Sequence, residues 1–209
     1  MFKKTLLGMT FLLATQGATA SEQPGQVRDM YVGMPIVELA DSKGYFFRCA
    51  DGTQLETIKS YQNCKADEDG FVQVNVTYND KVSEWGDVND KWFGTKLAGH
   101  PVLINSFINI KGEIERIDVK TDPSSRMYMK KKSFLLGKRI KNQFGEKHWM
   151  CTERKRQSEV EVGGMLIDEL CRKDFHGFSV VTHVELFYKL VDGEKHYTNS
   201  TKFSILSTS

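Results

Sequence analysis

The sequence predicts an α+β protein made of two tandem repeats, each a short helix-loop-helix packed on an antiparallel β-meander with one disulfide. The first observation is a repeated pattern, because Cys64-x-x-Asp67-x-x-Gly70-Phe71 recurs as Cys171-x-x-Asp174-x-x-Gly177-Phe178 at an offset of 107 residues. The second is that an earlier cysteine precedes each copy, Cys49 in the first and Cys151 in the second. The third is the change of apolar spacing in each half, from a helical period to alternation.

The N-terminal segment, residues 1–20, has the pattern of a secretory signal peptide. Lys3 and Lys4 form its basic region, residues 6–14 are mostly apolar, and Ala18-Thr19-Ala20 offers a small-residue cleavage site. We expect cleavage after Ala20, followed by periplasmic localisation or secretion. The apolar run is too short to span a membrane with these flanks, and no later segment approaches ~18 apolar residues, so no membrane span is expected.

The charge of the mature chain argues against nucleic acid as a partner. Loss of Lys3 and Lys4 lowers the basic count from 29 to 27, which equals the 27 acidic residues. A chain without net charge has no overall field that attracts it to nucleic acid or to anionic lipid.

The four cysteines of an exported chain predict two disulfides. Three pairings are open to four cysteines, and the repeat favours Cys49–Cys64 and Cys151–Cys171, because a duplicated module would duplicate its own bridge. The cysteines lack the CxxC spacing of thiol oxidoreductases and the close ligand pairs of a structural zinc site.

The first repeat is predicted to cover residues 21–125. A helix begins at Pro35, and Thr53-x-x-Glu56 predicts the capping box of a second helix ahead of Cys64. Strands are predicted at 72–78, 102–110 and 114–121. Segment 79–100, without a counterpart in the second half, is interpreted as an insertion.

The second repeat is predicted to cover residues 126–209. Leu136-Gly137 corresponds to Val32-Gly33 and opens a helix, and Gly163-Gly164 introduces a second helical segment that leads to Cys171. A strand at 178–191, a tight turn at Asp192-Gly193 and a returning strand at 195–206 complete the repeat.

The chain is interpreted as a non-enzyme without cofactor, metal or catalytic residues. His183 and Glu185 share one face of a predicted strand, an arrangement that suits proton transfer or metal binding but is more typical of an exposed pair. Motifs such as Gly-x-Ser-x-Gly and His-Glu-x-x-His do not occur. A small hydrolase remains an alternative, and it would need a pocket lined by His183 or His196 together with an acid. We interpret Asp67 and Asp174 as turn residues.

The insertion is the predicted binding site. Trp85, Trp92 and Phe93 lie within nine residues, on a segment rich in Gly, Asn and Asp. Such aromatics either fold back on the first sheet or form an interface surrounded by polar residues. We expect them to bind a partner protein.

The order of elements resembles a known family. Val32-Gly33-Met34 opening a short helix, followed by a second helix and a meander with one disulfide per repeat, is similar to the beta-lactamase inhibitory protein family and to the small outer-membrane assembly lipoproteins. The second half differs, because it has Leu136-Gly137-Lys138, and the lipid-anchoring cysteine of the lipoproteins is absent. The resemblance implies a sheet surface that grips another protein, and hence an exported protein-binding module of inhibitor or immunity type. A cell-envelope structural or assembly factor is the alternative.

Overall fold

The computed structural model describes residues 25–41, 44–78, 95–154 and 159–208. The predicted signal peptide and its cleavage site lie outside these residues. Over the described ranges the strands are β1 (Tyr45–Cys49), β2 (Gln54–Leu55), β3 (Val72–Tyr78), β4 (Lys96–Leu97), β5 (His100–Ile108), β6 (Ile114–Thr121), β7 (Met150–Glu153), β8 (Glu159–Val160), β9 (Ile167–Asp174), β10 (Phe178–Val191) and β11 (Glu194–Ser207). The helices are α1 (Met127–Lys130), α2 (Phe134–Gln143) and the 3-10 helices Ile36–Asp41 and Ile58–Asn63.

A single antiparallel sheet of eleven strands contains all of the described strands. Its order is β2-β1-β3-β5-β6-β11-β10-β9-β7, with β4 added to β5 and β8 added to β10. Strands β6 and β11 pair antiparallel at the centre, from Lys202 opposite Lys120 to Leu206 opposite Arg116. Without this pairing, each of the two strands would be an edge strand of its meander, with unpaired backbone N–H and C=O groups. The pairing satisfies these groups on both strands.

The predicted fold class, two α+β repeats each built on its own helix-loop-helix, is therefore wrong. The molecule is mostly one large sheet, and its helical segments are short. The strand predictions in the same regions were better, because 72–78, 114–121 and 178–191 coincide with β3, β6 and β10. The division into repeats at 125 and 126 stays a prediction.

The clearest error concerns the second helix of the second half. The segment that leads to Cys171 forms β9, and all eight of its residues pair with β10. Strand β7 pairs on the other side of β9, with Cys151 directly opposite Cys171. The short apolar run 165–167 fits either a helix or a strand. Pairing with β10 from Ile167 onwards, and with β7 over residues 169–172, makes the segment ahead of Cys171 a strand.

The second helix of the first half is a 3-10 turn that begins later than predicted. Thr57, rather than Thr53, is its cap, and the Thr57 hydroxyl accepts a hydrogen bond from the Lys59 N–H. Thr53 instead precedes β2, and its backbone N–H donates to the carboxylate of Asp51.

The main hydrophobic cluster lies on one face of the sheet. Alternate strand residues point to this face and are at most 2% exposed, among them Val74, Val76, Ile104, Ile117, Val119, Val180, Phe203 and Ile205. The covering side chains come from α2 and the two 3-10 helices, namely Ile36, Leu39, Ile58, Leu136 and Ile140.

Helix α2 approaches the sheet closely at Gly137. A Cβ at this position would lie 2.3 Å from Cγ2 of Val184 in β10 and 3.6 Å from Oγ1 of Thr201 in β11. The Thr201 hydroxyl also donates to the carbonyl of Ser133, just before the helix, at 2.8 Å. Gly137 is therefore required by packing rather than by an unusual backbone angle.

The two disulfides join neighbouring elements of the sheet. Cys49 of β1 is bonded to Cys64, which follows the second 3-10 helix, and Cys151 of β7 is bonded to Cys171 of β9. These are the pairings that the repeated cysteine spacing favours. Each bridge closes a short loop of 15 or 20 residues and is expected to stabilise the fold by about 3 kcal/mol.

The repeated motif occupies two different structural settings. In the first copy Asp67 accepts hydrogen bonds from the N–H groups of Asp69 and Phe71, which is the predicted turn role. In the second copy the motif forms the β9–β10 hairpin, and Asp174 instead accepts from Arg172 at 2.8 Å. The glycines that follow both have positive φ, +85° at Gly70 and +84° at Gly177. The motif is a structural turn in both places.

We expect Gly137→Ala to destabilise the protein, although Ala favours helices. Overpacking costs about 1–3 kcal/mol, whereas Ala gains only roughly 1 kcal/mol over Gly in a helix interior. In a Val184→Ala background the clash disappears, so Gly137→Ala should there be neutral or stabilising. Denaturant unfolding of the four combinations measures this coupling, and Lys138→Ala on the exposed side of α2 is the control, expected within about 0.5 kcal/mol of wild type. Additive effects would contradict the packing.

The stability should also depend on the protonation of His100, which is 7% exposed at the start of β5. Burial, with the positive charges of Arg139 and Lys132, lowers the pKa of this imidazole below its ordinary value of 6.5. The unfolded chain therefore binds the proton at higher pH than the folded chain, and the free energy of unfolding falls as the pH drops through and below 6.5.

The corresponding measurement is the free energy of unfolding between pH 8 and pH 5. The free energy of unfolding of the wild type, relative to that of His100→Gln, should decrease progressively as the pH falls. Arg139→Gln removes one of the two repelling charges and should reduce the slope. Parallel profiles for wild type and His100→Gln would show that His100 is not responsible.

Candidate functional site

The face of the sheet opposite the core presents side chains to solvent, and we call it the open face. Its residues alternate with core residues along each strand, and cross-strand pairing aligns them in rows. Two of its apolar side chains are about half exposed, Phe46 at 50% and Leu103 at 46%. Its exposed or partly exposed charged residues include Arg48, Arg116, Asp118, Lys120, Glu159, Arg172, Asp174, His183, Glu185, Lys189, Glu194, His196 and Lys202.

Two lysines face each other at the centre of the open face. Lys120 of β6 and Lys202 of β11 are direct cross-strand partners where the two meanders join. Both are exposed, and the Lys202 side chain is 53% exposed. Like charges directly opposite each other on adjacent antiparallel strands are destabilising, so this pair is a local cost to the fold.

The nearest carboxylate compensates only part of this charge. Asp118 lies 3.7 Å from Nζ of Lys202 and 3.5 Å from Nε of Arg116. The Arg116 guanidinium also stacks 3.6 Å from the centre of the Phe107 ring. The Asp118 side chain is only 13% exposed, whereas that of Arg116 is 39% exposed. The Asp118 carboxylate thus lies close to the sheet, whereas the side chains of Arg116 and Lys202 extend further into solvent.

A second cluster on the open face combines a histidine with two carboxylates. Nε2 of His183 lies 2.8 Å from Oδ1 of Asp168 and 4.0 Å from Oε1 of Glu185. The other oxygen of Glu185 accepts a hydrogen bond from the Ser200 hydroxyl at 2.8 Å. Strand register brings them together, since Glu185 is opposite Asp168 on one side and Ser200 on the other. The Asp168 side chain has no solvent exposure, while those of His183 and Glu185 are each 24% exposed.

The predicted partner-binding residues Trp85, Trp92 and Phe93 lie outside the described residues. The described residues on either side of them, Tyr78 and Thr95, are adjacent, because the Tyr78 N–H donates to the Thr95 hydroxyl at 2.7 Å. Thr77, one residue before Tyr78, is directly opposite Phe46 of the open face. The last residues of the predicted insertion, 95–100, join the sheet through β4 and the start of β5.

The hydrolase alternative requires a pocket lined by His183 or His196 together with an acid. A cleft of about 590 Å³ runs between α2 and β9 and is lined in part by Lys138, Lys141 and Glu169. Lys141 and Glu169 form an ion pair across it. Neither His183 nor His196 lines this cleft or the other larger clefts of the described residues. That the chain is not an enzyme stays a prediction.

Comparison with protein-family models, curated proteins and solved structures finds no match for this chain. The two disulfides are consistent with an exported protein. None of the described helices has both the length and the apolar character needed to cross a bilayer.

The sequence analysis identified His183 and Glu185 of the His183 cluster, but not Asp168. The spacing of His183 and Glu185 at i and i+2 on a predicted strand indicates a shared face. Asp168 could not be added, because its segment was expected to be helical. The Lys120–Lys202 pair depends on the register of strands 82 residues apart in sequence, and no local pattern reveals it.

Proposed function

We propose that the mature chain, cleaved after Ala20, is an exported protein that binds an acidic surface of another protein through its open face. The observation that carries the proposal is the exposed Lys120–Lys202 pair at the centre of this face. An anionic group placed over both ammonium groups would relieve their repulsion. The free energy that this repulsion costs the unbound protein would then contribute to binding.

The distances to which the basic and acidic groups extend from the open face support an acidic partner. At the centre of the open face Lys120 and Lys202 are exposed, whereas Asp118 lies low beside them. Towards the edge, Arg172 is paired with Asp174 and both side chains are 49% exposed, so this pair adds no positive excess. A partner that approaches the centre of the sheet meets the bases first, although the mature chain has no net charge. Complementary charge of this kind mainly governs association rate and choice of partner.

The aromatic insertion supplies the apolar part of the proposed interface. Its attachment point, Tyr78 and Thr95, is next to the strand pair that carries exposed Phe46. Trp85 and Trp92 are residues of the type that dominates binding energy when a partner buries them, and replacing either with Ala is expected to cost about 2 kcal/mol of binding. The resemblance to the beta-lactamase inhibitory protein family favours an inhibitor- or immunity-type role.

The test combines partner capture with charge reversal. Mature protein with intact disulfides would capture its partner from the native exported fraction, and the partner would be identified by mass spectrometry. Affinity for the purified partner should fall about tenfold or more, which is about 1.4 kcal/mol, in Lys120→Glu/Lys202→Glu. It should also weaken at about 1 M salt, where charges are screened beyond ~3 Å.

Lys59→Glu is the matched control, because Lys59 is exposed on the 3-10 helix that covers the opposite face. This variant should bind as the wild type does. Equal loss in both variants, or an unchanged affinity in the double reversal, would refute binding through the open face. Retention of the wild type and all variants in a membrane or wall fraction would instead favour the envelope-factor alternative.

A further inference from the structure

The His183 cluster has the donor set of a transition-metal site. It offers one imidazole nitrogen and two carboxylate oxygens, and these three donor atoms all lie within 4.8 Å of one another. Imidazole and carboxylate are the protein ligands that Zn²⁺ and similar divalent cations share. The other group of close donors, at Cys151, Glu169 and Cys171, is unsuitable because its sulfurs form a disulfide.

The distances between donor atoms in the cluster lie just below and just above the distance between ligand atoms of a tetrahedral site. With bonds of about 2.1 Å to nitrogen and oxygen, neighbouring ligand atoms of tetrahedral zinc are about 3.4 Å apart. The observed separations from Nε2 of His183 are 2.8 Å to Asp168 and 4.0 Å to Glu185. Small side-chain rotations would bring both to the required value.

One ring nitrogen faces both carboxylates, which is unusual for a simple hydrogen-bonded pair. The single hydrogen that Nε2 can carry points to one acceptor, and Asp168 is the nearer. A cation between the three groups contacts both carboxylates at once. The partial exposure of His183 and Glu185 leaves an open side at which water completes the coordination.

The surrounding structure holds the ligands in place. The donors stand on paired strands, Asp168 on β9 and the other two on β10, where side-chain direction is fixed by the sheet. Ser200 on β11 donates to the second oxygen of Glu185 and so turns the first towards His183. Such outer hydrogen bonds orient metal ligands in known sites.

We infer that Asp168, His183 and Glu185 form a divalent transition-metal site, with Zn²⁺ as the best-matched ion and a water as the fourth ligand. This inference departs from the sequence-based expectation that the chain binds no metal. It is independent of the identity of the partner and of binding through the lysine pair.

The experiment is titration of the mature, disulfide-intact, chelator-treated protein with ZnCl₂ by calorimetry, and with CoCl₂ by visible absorption. The wild type should bind one ion, with the intense bands of four- or five-coordinate Co²⁺, and Zn²⁺ should raise its melting temperature. Affinity should fall on the order of tenfold to a hundredfold in His183→Gln and in Glu185→Gln, and about tenfold in Ser200→Ala.

Fully buried Asp168 is left unchanged, since its replacement endangers folding, and circular dichroism verifies that each variant is folded. His196→Gln is the control, because His196 lies on an exposed part of the same hairpin, opposite Lys189. It should bind as the wild type does. Absence of Zn²⁺ and Co²⁺ binding by the wild type, or equal binding by His183→Gln and Glu185→Gln, would overturn the assignment.

Discussion

Backbone pairing between β6 and β11 joins strands that belong to opposite halves of the chain. The five paired positions, from Lys202–Lys120 to Leu206–Arg116, fix which alternate residues of each half share a face. Because side chains alternate with a period of two, a slip of one residue in β11 would send Phe203 and Ile205 to solvent. This register therefore decides that the two halves share one core face and one open face, and that Lys120 lies opposite Lys202.

The same pairing explains why the fold class was predicted wrongly while many strands were predicted well. Alternation in 72–78 and 178–191 is a local signal, and β3 and β10 cover the same residues. The association of two meanders into one sheet is a long-range event without a local signal. The segment 165–171 shows the limit most clearly. It is short, it follows two glycines, and its apolar residues fit a helical turn until the hydrogen bonds of β7 and β10 fix it as β9.

The candidate site was predictable only where its chemistry lies within one strand. The shared face of His183 and Glu185 is visible in the sequence, since their spacing is two residues on a strand. Asp168 reaches them through the register of β9, and Ser200 through that of β11. The aromatic segment around Trp85 attracted the functional prediction because tryptophans stand out in composition. Charge that becomes significant only by cross-strand pairing, as with Lys120 and Lys202, does not stand out in a sequence that carries 29 basic and 27 acidic residues.

The two proposed sites are neighbours and act on each other electrostatically. His183 is the direct cross-strand partner of Lys202. Two of the metal ligands therefore lie one strand from Lys202, and Asp168 lies one strand further away. Without a cation, Asp168 and Glu185 contribute negative charge beside the lysines and weaken the attraction for an acidic partner. A divalent ion would offset both carboxylates and leave Asp118 as the acid nearest the projecting bases. The binding strength of the open face would then depend on metal occupancy, because neighbouring strands are only about 5 Å apart and the screening length at physiological salt is about 8 Å.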